Sequence, residues 1–500
     1  MKAHILEVLN PSTAELMPPP EDLQEDPAEN LDESLDAGEL GTDLDASLRF
    51  VEMYASILRY CPGLGWLYWD GRRWALDRSG KVFELSKKSA RHWTTQANRL
   101  QGDDRERRLR LALMLESASH IKATVDLARR DKRLVVTSDQ LDRDPWKFNV
   151  QNGTLHLRTG QISPHNPADL LTKIAPIFHK PGAIHPTLTR YLTMIESHTP
   201  GMSAFLARCF GAALSGDATT ESLFLLQGEG GSGKTTLVEA MAAAMGDYAV
   251  KLPFESFCQS KHGRGPGAAS PDLIPLRGSR LAYASEGDQS ARLDAGVVKT
   301  LTGNEPITAR GLYSDPITFP QTWKLWLVSN FDPKTESDDT GIWRRMLKLP
   351  FNVIPEDQRD PSVKRDLTND PDVRSALLSW ALAGCLDWQA RGGGRKGLAP
   401  PSVVETATAT YRAKQDTLGD WWEDILTTHC LHKDAFTTAS ELRRGYEDWC
   451  EANGASPVYI QRFSAYLENK GLVKHRTKTE RGWRGIKPQP PPPNQIECSY

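Results

Sequence analysis

The stretch that most constrains this chain is Gly228-Glu229-Gly230-Gly231-Ser232-Gly233-Lys234-Thr235, which satisfies G-x-x-x-x-G-K-[ST] at every position. It follows a short apolar run, Leu223-Phe224-Leu225-Leu226, and precedes an amphipathic segment carrying Leu237, Val238 and Met241. Strand, glycine-rich turn and helix in that order predict a P-loop. The glycines let backbone N–H groups converge on phosphates, and the helix N-terminus adds positive potential. Lys234 is placed to reach the β and γ phosphates and Thr235 to ligate Mg²⁺, with Thr236 completing the nucleotide-binding set. ATP and Mg²⁺ are the expected ligands. From the loop to about Val353 apolar runs and helical patterns alternate, the signature of an α/β nucleotide-binding core.

Three further segments of this core carry candidate chemistry. Leu281-Ala282-Tyr283-Ala284-Ser285-Glu286 reads as a strand ending in a carboxylate about fifty residues after the loop, where a Walker B acid belongs. Ser285 stands where an Asp is common, so Glu286 is the expected water-activating base and a candidate metal ligand with Thr235, and Asp288 is the second candidate. Lys324 to Asn330 reads as a buried strand whose terminal amide can hydrogen-bond the γ-phosphate or its water; the bland alternative is a turn-forming Asn. Arg344 and Arg345 follow on a short helix, where one of them can act as an arginine finger toward a neighbouring subunit, an effect worth ~10³–10⁵ in rate.

Around this core the chain is uneven. At 500 residues it should hold about three separate units, at ~100–200 residues each. Residues 1–48 carry thirteen acidic side chains against Lys2 alone, a charge of −12 in a chain of net −3, so the remainder is basic at +9. Such an acidic, Pro-rich stretch buries too little apolar surface to offset its ordering entropy and is expected to be a disordered arm, either solubilising or partner-binding. With neither a signal peptide nor an apolar run of membrane length, a cytoplasmic location is expected. The seven cysteines lack zinc-binding spacing and read as reduced thiols, mostly core.

Ordered structure should begin near Ala46 with a helical pattern running to Leu58. Trp66 to Trp74 reads as a hairpin around Asp70-Gly71, its aromatics core-forming, and Phe148 to Leu157 as a second hairpin around Asn152-Gly153. Helices are expected from Thr187 to Leu214, in a lid from Val373 to Gln389, and from Val403 to Leu431 after a Gly392–Gly397 linker. The last folded part predicts two helices, Thr438–Gly454 and Tyr459–Gly471, then a basic hairpin from Leu472 to Lys487 resembling the wing of a winged helix. Lys474, Arg476 and Lys478 there are candidate DNA contacts, with Gln461 and Arg462 on the preceding helix facing a groove.

The order of these motifs resembles superfamily 3 helicases, specifically the phage, plasmid and poxvirus primase-helicases. The resemblance is carried by Phe205-Leu206-Ala207-Arg208-Cys209-Phe210-Gly211-Ala212-Ala213-Leu214-Ser215-Gly216 before the loop and by Lys299 to Arg310, which looks like the family's B′ motif. Asn149 to Leu157 with His165 to Pro181 looks like its N-terminal accessory domain. The resemblance implies an AAA+-like hexameric ring whose hairpin, about Ile307 to Phe319, grips DNA, with Lys299 and Arg310 on DNA phosphates or the neighbouring nucleotide. The expected fold class is therefore an α/β P-loop NTPase core with an α+β accessory domain and a C-terminal winged helix. The expected segments are an arm (1–47), accessory domain (48–185), helicase core with collar helices (186–355), helical lid and linker (356–432), winged helix (433–487) and Pro-rich tail (488–500). No primase domain is expected here. The expected partners are single-stranded or forked DNA, further copies of the chain and a separate primase or other replication proteins. The alternatives are an ATP-switched origin-binding or assembly protein and a small-molecule P-loop kinase.

Overall fold

A computed structural model describes residues 42–259, 272–285, 292–310, 316–335, 339–453, 457–477 and 479–488. The acidic arm before Thr42, the tail after Pro488, Glu286, Asp288 and Lys478 lie outside the described residues. The chain divides into two units, one running to Pro333 and resuming over Arg344–Thr408, the other made of Lys334–Trp343 and the chain from Ala409.

Thr42 starts the first helix, α1 (Asp43–Tyr54), through a capping box in which its hydroxyl accepts from Asp45 N and Asp45 accepts from Thr42 N. The helix therefore begins before Ala46 and ends before Leu58, which belongs to a strand. That strand, β1 (Leu58–Cys61), pairs with β2 (Gly65–Trp69), and β2 pairs with β3 (Trp74–Leu76) across the predicted Asp-Gly turn. Leu67 and Trp74 are buried, and Trp66, Tyr68 and Trp69 are half-buried and packed against the core of this region. Helices α2 (Lys81–Asn98), α3 (Gly102–Leu115) and α4 (Ala118–Ala128) follow. The second predicted hairpin is a three-stranded meander, β4 (Lys147–Val150), β5 (Gly153–His156) and β6 (Gln161–Ser163). It is locked by Asn149, wholly buried, whose amide donates to the carbonyls of Arg72 (2.8 Å) and Lys173 (3.2 Å).

Helices α5 (Pro186–His198) and α6 (Met202–Leu214) lead to β7 (Leu223–Gln227) and, after the glycine-rich loop, to α7 (Lys234–Met245). Then come β8 (Ala249–Lys251), β9 (Leu281–Ser285), α8 (Ala295–Leu301), the antiparallel pair β10 (Ile307–Ala309) and β11 (Ile317–Phe319), and β12 (Lys324–Ser329). The chain enters the second unit for the short helix α9 (Thr340–Trp343) and returns as β13 (Met346–Pro350). Five strands form one parallel sheet in the order β13-β7-β12-β9-β8. All six residues of β12 are buried, the continuous burial that covering both faces of a parallel sheet demands. Trp326 at its centre stacks between Phe210 (4.2 Å) and Phe224 (4.5 Å).

Two predicted connectors are core. After α10 (Pro361–Asn369), the expected lid is α11 (Pro371–Ala390), capped by Asp370 with Pro371 in its first turn. Ten of its residues are buried, and it crosses α6 backbone to backbone: a methyl on Gly211 would lie 2.2 Å from Cys385 N, and one on Gly384 2.0 Å from Ala207 O. The expected glycine-rich linker contains α12 (Gly394–Leu398), and buried Arg208 fixes it by donating to the carbonyls of Leu398 (2.7 Å) and Ala399 (3.0 Å). Glycine there serves close packing on Trp388, whose indole donates to Gly394 O at 2.8 Å.

Helix α13 (Ser402–Lys414) carries the chain into the second unit, which continues as α14 (Thr417–Thr428), β14 (His429–Thr438), α15 (Ala439–Ala452), α16 (Ile460–Asn469), β15 (Val473–Arg476) and β16 (Arg481–Pro488). Strand β14 was not expected, and a boundary at 433 would divide it. It pairs with β16, and β16 with β15, in a three-stranded antiparallel sheet. Leu418, Trp421, Trp422 and Ile425 of α14 share one apolar core with Tyr446, Phe463, Trp483 and Ile486, so this helix belongs with the C-terminal elements. Six cysteines are free among the described residues, four of them buried, and no described helix is long and apolar enough to cross a membrane.

The α6–α11 crossing leaves no room for a side chain. Gly384→Ala should destabilise the first unit by about 3 kcal/mol, the upper end for overpacking. Gly445→Ala in α15, where a methyl meets open space, should instead stabilise the second unit by ~0.5–1 kcal/mol. Thermal unfolding of both variants checks the contrast.

Candidate nucleotide-binding site

The loop between β7 and α7 holds every residue of the predicted phosphate site. Glu229, Gly230 and Gly231 are exposed, Gly228, Ser232 and Lys234 buried, and Gly233, Thr235 and Thr236 half-buried. Gly231 and Gly233 have φ of +81° and +82°, which side chains resist, and Gly233 is the N-cap of α7, whose first N–H groups lack partners within the helix. Lys234 is 4% exposed. Its Nζ donates to Asn330 Oδ1 at 2.7 Å, to Glu229 O at 3.1 Å and to Ser232 Oγ at 3.5 Å. Burial holds its pKa below the ordinary lysine range.

Asn330 reaches Lys234 because β12 lies directly beside β7. Leu226 is level with Val328 and Val328 with Ser285, so the ends of β7, β12 and β9 open on one edge of the sheet. Ser285 therefore stands at the rim of the site; the predicted base Glu286, and Asp288, fall outside the described residues.

The structure separates the two arginines. Arg345 is 7% exposed, and its guanidinium lies 3.4 Å from Glu221 of its own chain. Its position is turned inward, toward its own chain. Arg344 has a side chain 66% exposed, with Nη2 at 3.7 Å from the same carboxylate. Asn304 also donates to Glu221, at 3.4 Å.

Of the predicted DNA contacts, Lys299 is half-buried on α8 and Arg310 exposed just after β10. Lys474 and Arg476 are exposed on β15, Lys474 pairing with Glu468 at 2.6 Å; Gln461 is exposed and Arg462 half-buried on α16. Two neighbours of the phosphate loop went unnoticed in the sequence. Tyr191 of α5, whose phenol burial holds un-ionised, donates to Gly233 O at 3.0 Å, and Arg359 lies against Gly231. Neither carries a motif; only the fold brings them to the loop.

Residues 47–196 match a family model described as D5 N terminal like, and residues 226–345 match a family of unknown function, DUF5906. Over 353 residues the chain is 26% identical to "Putative helicase L207/L206" of Acanthamoeba polyphaga mimivirus, covering 68% of this chain and 36% of that protein. It is 28% identical over 283 residues to "Putative helicase 022R" of Frog virus 3, covering 53% and 28%. It is also 26% identical over 363 residues to "Putative primase C962R" of African swine fever virus (strain Badajoz 1971 Vero-adapted), covering 67% and 36%. The chain thus spans about a third of the length of these curated relatives. Together these matches support kinship with D5-like primase-helicases.

Because Arg345 is buried against Glu221 and Arg344 is not, their alanine variants should differ in stability. Arg345→Ala is expected to cost roughly 1–3 kcal/mol, since it removes a buried guanidinium and the nearer of the two cations on Glu221. Arg344→Ala should stay within about 0.5 kcal/mol of the parent. Denaturant titration distinguishes the two.

Proposed function

We propose that this protein is an ATP-dependent DNA helicase acting in replication of a phage, plasmid or integrated mobile element, with an AAA+-like superfamily 3 core working as a hexameric ring. The observation that carries the reading is the Lys234–Asn330 pair at 2.7 Å across a complete P-loop, in a chain whose relatives are named helicases and primases. The residues fit a nucleoside triphosphate: a buried cation, two glycines at positive φ at the start of a helix, and a neutral amide against the cation.

In this mechanism Lys234 exchanges its loop acceptors for phosphate oxygens, neutralising charge that grows on the leaving side of the reaction. Thr235 would hold Mg²⁺, with Glu286 a further candidate ligand; such an ion would supply positive charge to the phosphates. Glu286 accepts the proton of the attacking water, and Asn330 orients that water or the γ-phosphate. Arg344 of the neighbouring subunit approaches from outside, as its exposure permits. Asn330, at the end of β12, links the nucleotide to the strand that follows the β10–β11 hairpin, so that hydrolysis moves DNA held by Lys299 and Arg310.

The second unit has the order helix, strand, helix, helix, strand, strand, with β14, β16 and β15 in one sheet, which suits a winged helix. We assign it to DNA, through Lys474, Arg476 and Lys478 on phosphates. The proposed partners are single-stranded or forked DNA, further copies of the chain, and replication proteins such as a separate primase.

The deciding experiment measures ATP hydrolysis with and without single-stranded DNA, strand displacement on a fork, and particle mass. Stimulated hydrolysis, displacement and a hexameric mass are expected. Hydrolysis without displacement would replace the motor by an ATP-switched origin-binding or assembly protein. Lys234→Ala should abolish hydrolysis while leaving the fold intact. Rings mixed from Lys234→Ala and Arg344→Ala subunits should recover part of the activity, because some interfaces then pair an intact loop with an intact finger. No recovery in rings shown by mass to have mixed would remove the trans role.

A further inference from the structure

The P-loop strand has two neighbours in the sheet, β12 on one side and β13 on the other. Asn330 arrives from β12. The segment leaving β13 runs along the opposite flank of the loop: Phe351 N donates to Gln227 O at 2.8 Å and Ile354 N to Gly231 O at 3.4 Å. Five residues on, Arg359 Nε donates to Ile354 O at 2.9 Å. The guanidinium is thereby fixed against the loop, so close that a methyl on Gly231 would sit 2.7 Å from both its Cζ and Nη2. Asp360 follows immediately; it caps α10 and binds Arg190 of α5 at 2.7 Å, which anchors the backbone at Arg359.

The remaining N–H groups of Arg359 have no hydrogen-bond partner among the described residues, and the side chain is exposed. A guanidinium that served only to brace the loop would need the Nε contact and nothing more. Here one nitrogen is used for positioning, and the planar pair of Nη donors, the geometry that matches phosphate oxygens two at a time, is left available beside a loop built for phosphates.

We propose that Arg359 is a nucleotide-binding residue acting within its own subunit, taking the phosphates of the bound nucleotide from the β13 side while Lys234 takes them from the β12 side. The inference rests on the reading of this loop as an ATP site and adds a second cation to it. It also separates two arginine roles by location: Arg359 belongs to the subunit that holds the nucleotide, Arg344 to the one that faces it. A residue that binds in the ground state and in the transition state alike lowers KM and leaves kcat nearly unchanged.

The test is titration of the full-length protein with Mg-ADP and with a non-hydrolysable Mg-ATP analogue, for the parent, Arg359→Met, Arg359→Lys and Lys234→Ala. Methionine keeps an unbranched stem and removes the charge. Arg359→Met should weaken both ligands by roughly tenfold to a hundredfold, the range for a lost charge-assisted contact. Its KM for ATP should rise in proportion with kcat within about threefold, and Arg359→Lys should recover part of the affinity. Unchanged affinity in Arg359→Met, with or without a lower melting temperature, would assign the side chain to loop packing and overturn the proposal. A parent protein that binds neither ligand would overturn the ATP-site reading itself, an outcome visible before any Arg359 variant is compared.

Discussion

The contact between Lys234 Nζ and Asn330 Oδ1 depends on one topological fact: β12, late in the sequence, is inserted beside β7, between it and β9. Without that insertion the loop would face the end of β9 directly, and the amide would stand a strand further away. The insertion is affordable only because β12 is apolar on both faces, so that it can occupy the middle of a sheet covered above and below. Trp326, held between Phe210 of α6 and Phe224 of β7, ties the strand to its neighbour and to the helix layer together. The chemistry at the sheet edge is thus supported by aromatic packing well inside it.

What could be read from residues in order was read well wherever a local rule decides structure. The glycine-rich loop, the strands expected from Leu281 to Glu286 and from Lys324 to Asn330 and observed as Leu281–Ser285 and Lys324–Ser329, and the Asn152-Gly153 turn all combine a short pattern with its expected flanks. Helix α11 also lies where its apolar periodicity put it. Periodicity reports that a face is buried and not what buries it. The close crossing with α6 depends on Gly211 meeting Cys385 and Gly384 meeting Ala207, pairings more than 170 residues apart in the chain.

The same limit explains the other differences. Gly392 to Gly397 looks like a linker because glycine is common in flexible segments, yet here it lets a turn pack on Trp388 and Arg208. Strand β14 is polar over much of its length, with four consecutive exposed residues, so no alternating pattern marks it; its pairing with β16 supplies the order. Arg344 and Arg345 are adjacent and chemically identical, and only the position of Glu221 tells them apart. Tyr191 and Arg359 have no spacing relationship to the loop they touch.

The β10–β11 hairpin has a neighbour outside the sheet core. Ser138 Oγ donates to Thr318 O at 3.2 Å, and a methyl on Gly63, in the turn between β1 and β2, would sit 2.7 Å from Ile317 Cγ2. The base of the hairpin is thus clamped by the three-stranded sheet of the N-terminal region. The paired residues Ile307–Ala309 and Ile317–Phe319 are therefore coupled to the N-terminal region, and a displacement of either strand has to be shared with Ser138 and the turn at Gly63.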